Sequence, residues 1–486
     1  MPFAYELPPA EWVCGDSPER VTTEVGNALG AAKEVAIDTE TTGLHLLQDW
    51  VLYWSLSWNQ DGTKRRITLR NDMLLRYDRL LRAEKRWILC NAKFDMHMLA
   101  NTTGVILGGI INDIAVQHGL YYEDMPHGLK EMNYQLFGWT WASFEETFGK
   151  LNRRDPTDTI GGRLRRAEKE DLQKLVEYAS NDAYGTLCCY EELRKRMERR
   201  PTHSIYPDRI KNLWDYFELT EAPFTRVLWT CERLGLAVDM EALHNLQAKI
   251  QQAEADAKRK LLQAVGRPIN PHSADDVRAY IYEEKAYPVR KMTKGGSSGV
   301  QAPSVDKEVL ASLALDTGDP VLGLIVECKK LHNLHTTFLG GIKRMVDSNN
   351  RVHTQFNQNE AVTGRLSSKN PNMQNIVHPD NDPFGIRSLI IAAFGMKLGV
   401  ADYTALEMML LAEAAQDPKL LSIFDRGWDV HMGNAALVFE QPYEAIEQAV
   451  SLGKAVKSGK APKDALTKEV QFRINARQRV KTISYG

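Results

Sequence analysis

The stretch Val35-Ala36-Ile37-Asp38-Thr39-Glu40 is a short apolar run that ends in acids. Read as a strand it sends alternate side chains to opposite faces, so Asp38 and Glu40 leave the same face. Two carboxylates so placed can share divalent cations, which hold a phosphodiester, activate water and stabilise a leaving oxygen. Taken alone, Asp-x-Glu is a weak signal that more often marks a solvated strand end. Working outward, Val51-Leu52-Tyr53-Trp54-Ser55-Leu56-Ser57-Trp58 reads as a sheet strand and Arg86-Trp87-Ile88-Leu89-Cys90 as another. Helical periodicity follows from Asp171 to Met197. The alternation predicts an α/β domain with a mixed sheet.

Two further segments join the first. Asn91-Ala92-Lys93-Phe94-Asp95 places a third acid where a strand turns into a helix. Tyr178-Ala179-Ser180-Asn181-Asp182 puts a phenol and a carboxylate on one helical face. In this order, from Val35 to Tyr184, the segments resemble the DEDD-type 3′→5′ exonucleases, in the branch with tyrosine in the third motif. The resemblance implies an RNase H-like domain in which Asp38, Glu40 and Asp182 bind metal ions directly. Asp95 would act through water, and Tyr178 would position the attacking water. No position departs from the pattern.

At 486 residues and 55.0 kDa the chain exceeds one core, and two to four domains are expected. With 43% hydrophobic and 26% charged residues it has ordinary globular composition. A formal net charge of -2 offers no global argument for a nucleic-acid partner. A basic footprint is local: Lys454, Lys457, Lys460, Lys463, Lys468, Arg473, Arg477, Arg479 and Lys481 stand against Asp464 and Glu469. Composition alone favours reading that run as a solvated helix face. The six cysteines form no Cys-x-x-Cys pair and no disulfide-like spacing, which predicts a reduced, cytoplasmic protein without structural zinc. No signal peptide opens the sequence, and no apolar run approaches the roughly 20 residues that span a bilayer.

Periodicity lapses near Arg199-Arg200-Pro201-Thr202-His203 and Pro207. From Leu213 to about Ser348 the pattern is mostly helical, interrupted by Pro268-Ile269-Asn270-Pro271 and a Gly/Ser loop at Thr293 to Gly299. Val352 to Asn357 predicts one strand, and Leu398-Gly399-Val400-Ala401-Asp402 predicts another that ends on an acid. Between them lies Thr363-Gly364-Arg365-Leu366-Ser367-Ser368-Lys369-Asn370-Pro371-Asn372-Met373-Gln374-Asn375-Ile376. Its turn residues display an arginine, amides and hydroxyls, donors that suit phosphates and the sequence-blind minor groove. This string resembles that of the family A DNA polymerases, the bacterial polymerase I group and its phage relatives. The resemblance makes Arg365, Asn372, Gln374 and Asn375 DNA-binding residues. Glu221 to Asp239 resembles the helix entering the thumb, and Arg351-Val352-His353-Thr354 the first palm strand. The expected divisions are an exonuclease domain at 1–198, a thumb at 208–350, a partial palm at 351–415 and partial fingers at 416–486.

Ala401-Asp402-Tyr403-Thr404-Ala405-Leu406-Glu407 resembles polymerase motif A. That implies that Asp402 binds both catalytic metals, with the Tyr403 carbonyl as a further ligand and Glu407 crowding the sugar 2′ side. Met408 departs from the pattern, where relatives usually carry arginine. Gly427 to His431 resembles the start of the fingers and implies His431 near the incoming phosphates. Arg477, Lys481 and Tyr485 recur every four residues, so on a helix two cations and a ring address one ligand. Their segment resembles motif B, the nucleotide-binding helix, and tyrosine at 485 implies weaker discrimination against 3′-deoxy nucleotides.

The resemblance implies a DNA-templated polymerase with proofreading, acting on primer-template DNA and deoxynucleoside triphosphates. Oxygen ligands favour two Mg²⁺ ions per site, with Mn²⁺ as the other fit. Gly486 falls inside motif B, and the family's second catalytic aspartate has no counterpart here. The expectation is an exonuclease-active, polymerase-deficient chain completed by a second fragment carrying the rest of the fingers and motif C. A bacterial or phage-infected host cytoplasm is the expected setting. The competing readings are a stand-alone exonuclease and a non-catalytic DNA-binding subunit.

Overall fold

The structure is a computed structural model that describes residues 7–152, 154–202, 208–293, 295, 301–361, 363–376, 382–458 and 460–484. The chain divides into two compact units, Met1–Met396 and Lys397–Gly486.

Unit 1 opens with a six-stranded sheet: β1 Ala10–Val13, β2 Glu34–Thr41, β3 Val51–Gln60, β4 Thr63–Arg70, β5 Arg86–Leu89 and β6 Ile110–Asp113. The order is β1-β4-β3-β2-β5-β6. β2 pairs antiparallel with β3 and parallel with β5, so the sheet is mixed, as expected. Apolar residues occupy both faces because helices cover both. Val35 and Ile37 of β2 join Trp54, Leu56 and Trp58 of β3 in one core with Leu99 of the Ala92–Thr103 helix. Ala36 faces the other way and packs with Leu187, Tyr190 and Leu193 of the long Leu172–Arg199 helix. Alternation from Ala36 therefore aims Asp38 and Glu40 at the face that the long helix covers.

The Ala222–Leu234 helix inserts Trp229 into the first core, tying the sheet to the chain that follows. Beyond it, Met240–Val265, Lys307–Thr317 and Pro320–His332 form a helical core around Leu243, Ile250, Leu310, Leu322 and Ile325. A small sheet joins β7 Leu236–Val238 to β8 Arg351–Val352 and, at its far edge, to a third strand, Ile390–Ile391. The strand expected from Val352 to Asn357 is broken in two. At the break the His353 ring meets the Glu232 carbonyl at 2.8 Å and Thr354 Oγ1 donates to the Pro371 carbonyl at 2.7 Å. These side chains turn the backbone from the small sheet into a separate hairpin of Gln355–Asn357 and Ser367–Lys369.

Unit 2 is helical: Leu406–Ala415, Pro418–Asp425, Val430–Val438, Tyr443–Lys457 and Lys468–Ser484. Ala435, Tyr443, Ile446, Ala476 and Val480 form its main core. The second expected strand is not formed, and Leu398–Asp402 runs as irregular, exposed chain. A strand is held by a ladder partner, and among the described residues none pairs with this segment. Its apolar side chains face solvent, with Val400 92% and Tyr403 80% exposed. Leu406, Met409, Leu410 and Leu411 extend that apolar surface along the next helix. Among the described residues no helix is long and apolar enough to cross a membrane.

Candidate active site

Asp38 and Glu40 project from β2, opposite Ser55 and Tyr53 of β3. The long helix brings Asp182 to the same face. One carboxylate oxygen from each of Asp38, Glu40 and Asp182 lies within 4.8 Å of the others. Burial raises all three carboxyls above their ordinary range. Asp38 is raised further by the charges of Asp95, Asp182 and Glu40, and Glu40 by that of Asp182. The Lys130 charge partly offsets the shift at each of the three. Three acids that repel one another, Glu40 buried and Asp38 and Asp182 half-buried, form a site whose missing complement is positive charge.

Asp95 lies buried in the first turn of the Ala92–Thr103 helix. Thr39, whose side chain leaves β2 on the face opposite Asp38, donates to Asp95 Oδ1 at 2.6 Å. Burial pushes the Asp95 carboxyl up to about 7 against that hydrogen bond. The turn that presents it is fixed by Asp113, whose carboxylate accepts the backbone N–H groups of Asn91, Ala92 and Ala115. Tyr178 sits one turn before Asp182 on the long helix, against the rings of Phe144 and Phe148. Burial and the charges of Glu40, Asp182 and Asp38 hold its phenol well above its ordinary value, so the hydroxyl keeps its proton at neutral pH.

The fold thus brings together all five residues expected from the sequence, and adds others. Trp141 donates from Nε1 to Asp182 Oδ1 at 2.8 Å. Lys130 places its ammonium 5.5 Å from the Tyr178 ring centroid. Asp113 carried a local signal, an acid before a helical run that reads as a cap. Lys130 and Trp141 carried none, because their roles depend on where the Leu129–Phe137 helix and its following loop dock.

A cleft of about 510 Å³ borders Asp38 and Asp95 and reaches Lys93, Asn357, Lys369 and Asn370 in and beside the hairpin. Of the polar string, Lys369 and Asn370 line this cleft. Arg365, Asn372, Gln374 and Asn375 are exposed, and Asn372 Oδ1 accepts from the backbone N–H groups of Gln374 and Asn375 at 3.1 Å each.

In unit 2, Asp402 and Tyr403 lie in the irregular segment, and among the described residues Asp402 belongs to no cluster of three metal-binding side chains. Glu407 lies in the first turn of the Leu406–Ala415 helix. Met408, at the position departing from the family pattern, packs with Ile423 and Val430. His431 is buried near the start of its helix, and Arg477 pairs at 3.3 Å with Asp429, which caps that helix. Burial lowers the His431 pKa, and the charges of Arg477 and Lys481 add to the effect, so these three expected residues share one locale. Tyr485 lies outside the described residues.

Residues 240–457 match the family described as DNA polymerase family A, and residues 17–198 match the family described as 3′-5′ exonuclease. The chain is 28% identical over 370 residues to DNA polymerase I of Chloroflexus aurantiacus, covering 74% of this chain and 36% of that one. It is 28% identical over 434 residues to DNA polymerase I of Pseudomonas aeruginosa, covering 86% and 45%. It therefore spans less than half the length of these relatives. In fold it is similar to the POL domain of Pol1 from M. smegmatis, solved in complex with DNA primer-template and dNTP. That likeness has a TM-score of 0.70 at 23% identity and covers 97% of this chain and 70% of that one.

Proposed function

From the premise that this chain belongs to DNA polymerase family A and carries a 3′-5′ exonuclease domain, we propose that it removes nucleotides from DNA 3′ ends within a proofreading DNA-templated polymerase. The observation that carries the reading is the convergence of Asp38, Glu40 and Asp182 within 4.8 Å, with Asp95 and Tyr178 beside them.

The all-oxygen, partly buried and mutually repelling donor set fits hard divalent cations such as Mg²⁺ or Mn²⁺. Bound there, such ions would supply Lewis-acid stabilisation of a phosphodiester and of its leaving oxygen. Asp38, Glu40 and Asp182 would hold them, with Trp141 keeping Asp182 oriented. Tyr178 keeps its proton and is the donor that orients the attacking water. Asp95, anchored by Thr39, contributes through water. The cleft running from these acids to the hairpin supports a path for a primer end.

For the polymerase half, we assign Asp402 and the Tyr403 carbonyl to metal binding, and Glu407, His431, Arg477, Lys481 and Tyr485 to the incoming nucleotide. Arg365, Asn372, Gln374 and Asn375 are assigned to the duplex. The functional divisions are those expected from the sequence: exonuclease 1–198, thumb 208–350, palm 351–415 and fingers 416–486. The exposed apolar run from Leu398 to Leu411 supports a further polypeptide segment that covers it and supplies a strand beside Leu398–Asp402. Among the described residues Asp402 has no second carboxylate clustered with it, whereas the reaction uses a paired metal site. We place the protein in the cytoplasm of a bacterium or a phage-infected bacterium.

A primer-template labelled at the primer 5′ end, incubated with Mg²⁺ and with or without all four deoxynucleotides, tests the reading. The chain should shorten the primer, and Asp38→Ala with Glu40→Ala should reduce shortening by at least about a hundredfold. Neither protein should extend it. Unchanged shortening by the double variant would remove the assignment of the site, and clear extension would show that the palm is complete within these residues.

A further inference from the structure

A second cluster of metal-binding side chains lies in the helical part of unit 1, far in sequence from the acids of β2. Its members are Glu254 on Met240–Val265, His272 just after the Pro268–Pro271 interruption, and His332 at the end of Pro320–His332. Their ligand atoms all lie within 4.8 Å of one another. His332 Nδ1 is 3.0 Å from Glu254 Oε1, and His272 Nε2 is 3.8 Å from that same oxygen. His335, one turn on, brings Nδ1 to 3.8 Å from Glu254 Oε2. The His272 and His332 rings approach to 4.1 Å between centroids.

We infer that Glu254, His272, His332 and His335 form a binding site for a borderline transition-metal ion of the Zn²⁺ class. Zinc bonds of about 2.0–2.1 Å to nitrogen and oxygen, set tetrahedrally, separate neighbouring ligand atoms by about 3.3 Å. The 3.0 and 3.8 Å separations of His332 and His272 from Glu254 Oε1 bracket that value. His335 stands against the other oxygen, Oε2, outside this three-residue cluster, and turns inward to complete the shell. Imidazoles with one carboxylate suit zinc, whereas the oxygen-only cluster on β2 suits Mg²⁺. Burial adds an inner wall and an outer door. The Glu254 side chain is 8% exposed, while those of His272 and His332 are 26% and 37% exposed, so an ion has a route in from solvent. Lys258 stands 2.6 Å from Glu254 Oε1 and is the cation that an arriving ion displaces, from an exposed and therefore movable side chain. The site joins three separate stretches of the helical core and so acts as a cross-link in the folded state.

The test uses the purified chain in excess Mg²⁺, which occupies the oxygen-only cluster, titrated with Co²⁺ as a visible probe. The expected result is the strong absorption of four-coordinate Co²⁺, saturating at one equivalent and bleached by Zn²⁺. His272→Gln and His332→Gln should each weaken binding by at least about tenfold, and Asp38→Asn should leave the bands in place. A second measurement on the native chain needs no variant: Zn²⁺ should protect His272 and His332 from carbethoxylation while exposed His244 still reacts. Absence of the bands overturns the site, as does their survival when both histidines are replaced or an equal reaction of His272 with and without Zn²⁺.

Discussion

At the residue scale, the candidate exonuclease site depends on side chains that touch its acids. Trp141 is the sharpest case, since its indole N–H holds one oxygen of Asp182 at 2.8 Å. Hydrogen bonds to charged groups contribute about 1.5–3 kcal/mol. Trp141→Phe keeps an aromatic ring, though a smaller one, and removes the donor, so 3′-end hydrolysis should fall roughly 10–100-fold, with an unchanged far-UV spectrum. An unaltered rate would mean that Asp182 is oriented without it. Asp38, Glu40, Asp95, Tyr178 and Asp182 were legible in the sequence because each sits at a fixed position relative to a strand end or a helical turn. Trp141 and Lys130 were not, because their helix and loop reach the site only through tertiary docking, which leaves no local pattern.

At the element scale, the long Leu172–Arg199 helix shows how a fold is cut to its site. Gly185, one turn beyond Asp182, faces Trp141 so closely that an added Cβ would lie 2.6 Å from Trp141 Cη2 and 2.8 Å from Asn133 Nδ2. In an exposed helix, glycine to alanine stabilises by about 0.8–1.0 kcal/mol. Here the clash reverses the sign. Gly185→Ala should destabilise the protein by about 1–3 kcal/mol in urea melts and lower exonuclease activity alongside Trp141→Phe. The helix itself was readable from its periodicity, and so were β2, β3 and β5 from their apolar runs. The two misread strands have a common cause. Val352 to Asn357 is split by side chains that bond outside any ladder, and Leu398–Asp402 has the composition of a strand but no neighbour to pair with among the described residues. Composition reports a residue's fitness for a sheet, not the presence of a partner.

At the scale of unit 1, the exonuclease sheet is joined to the polymerase-like chain by a buried ionic knot. Glu232, 2% exposed, accepts from His97 at 2.9 Å, from the Phe356 backbone N–H at 2.8 Å and pairs with Lys93 at 3.0 Å. Burial alone would raise Glu232, but these partners outweigh it and leave its pKa below the ordinary value. Burial lowers that of His97. Both folded values are depressed, so both contributions are complete at high pH and are lost as pH falls. The unfolded chain gains a proton at His97 first, below about pH 6.5, and at Glu232 below about pH 4.3. These two contributions should therefore shrink gently from pH 7 to 5 and steeply near pH 4, against the opposite trend from the raised carboxyls of Asp38, Glu40, Asp95 and Asp182. They are read as the difference in thermal midpoint between the native chain and Glu232→Gln. Glu232→Gln should flatten the steep part and destabilise the protein by up to about 3–5 kcal/mol, because Lys93 loses its counter-charge. An identical pH profile in the variant would place the acid sensitivity elsewhere.

The seating of Trp229 among sheet residues has a consequence for inheritance. The Ala222–Leu234 helix belongs by sequence to the segment after the exonuclease, yet its indole fills the exonuclease core and its Glu232 pairs with the ammonium of Lys93. A recombination event that exchanged only the first two hundred residues for those of a distant cousin would leave a hole and a stranded carboxylate on one side of the crossover. Lineages in which these two halves trade partners freely should therefore have their crossovers beyond this helix, and the exonuclease should descend together with the helix that plugs it.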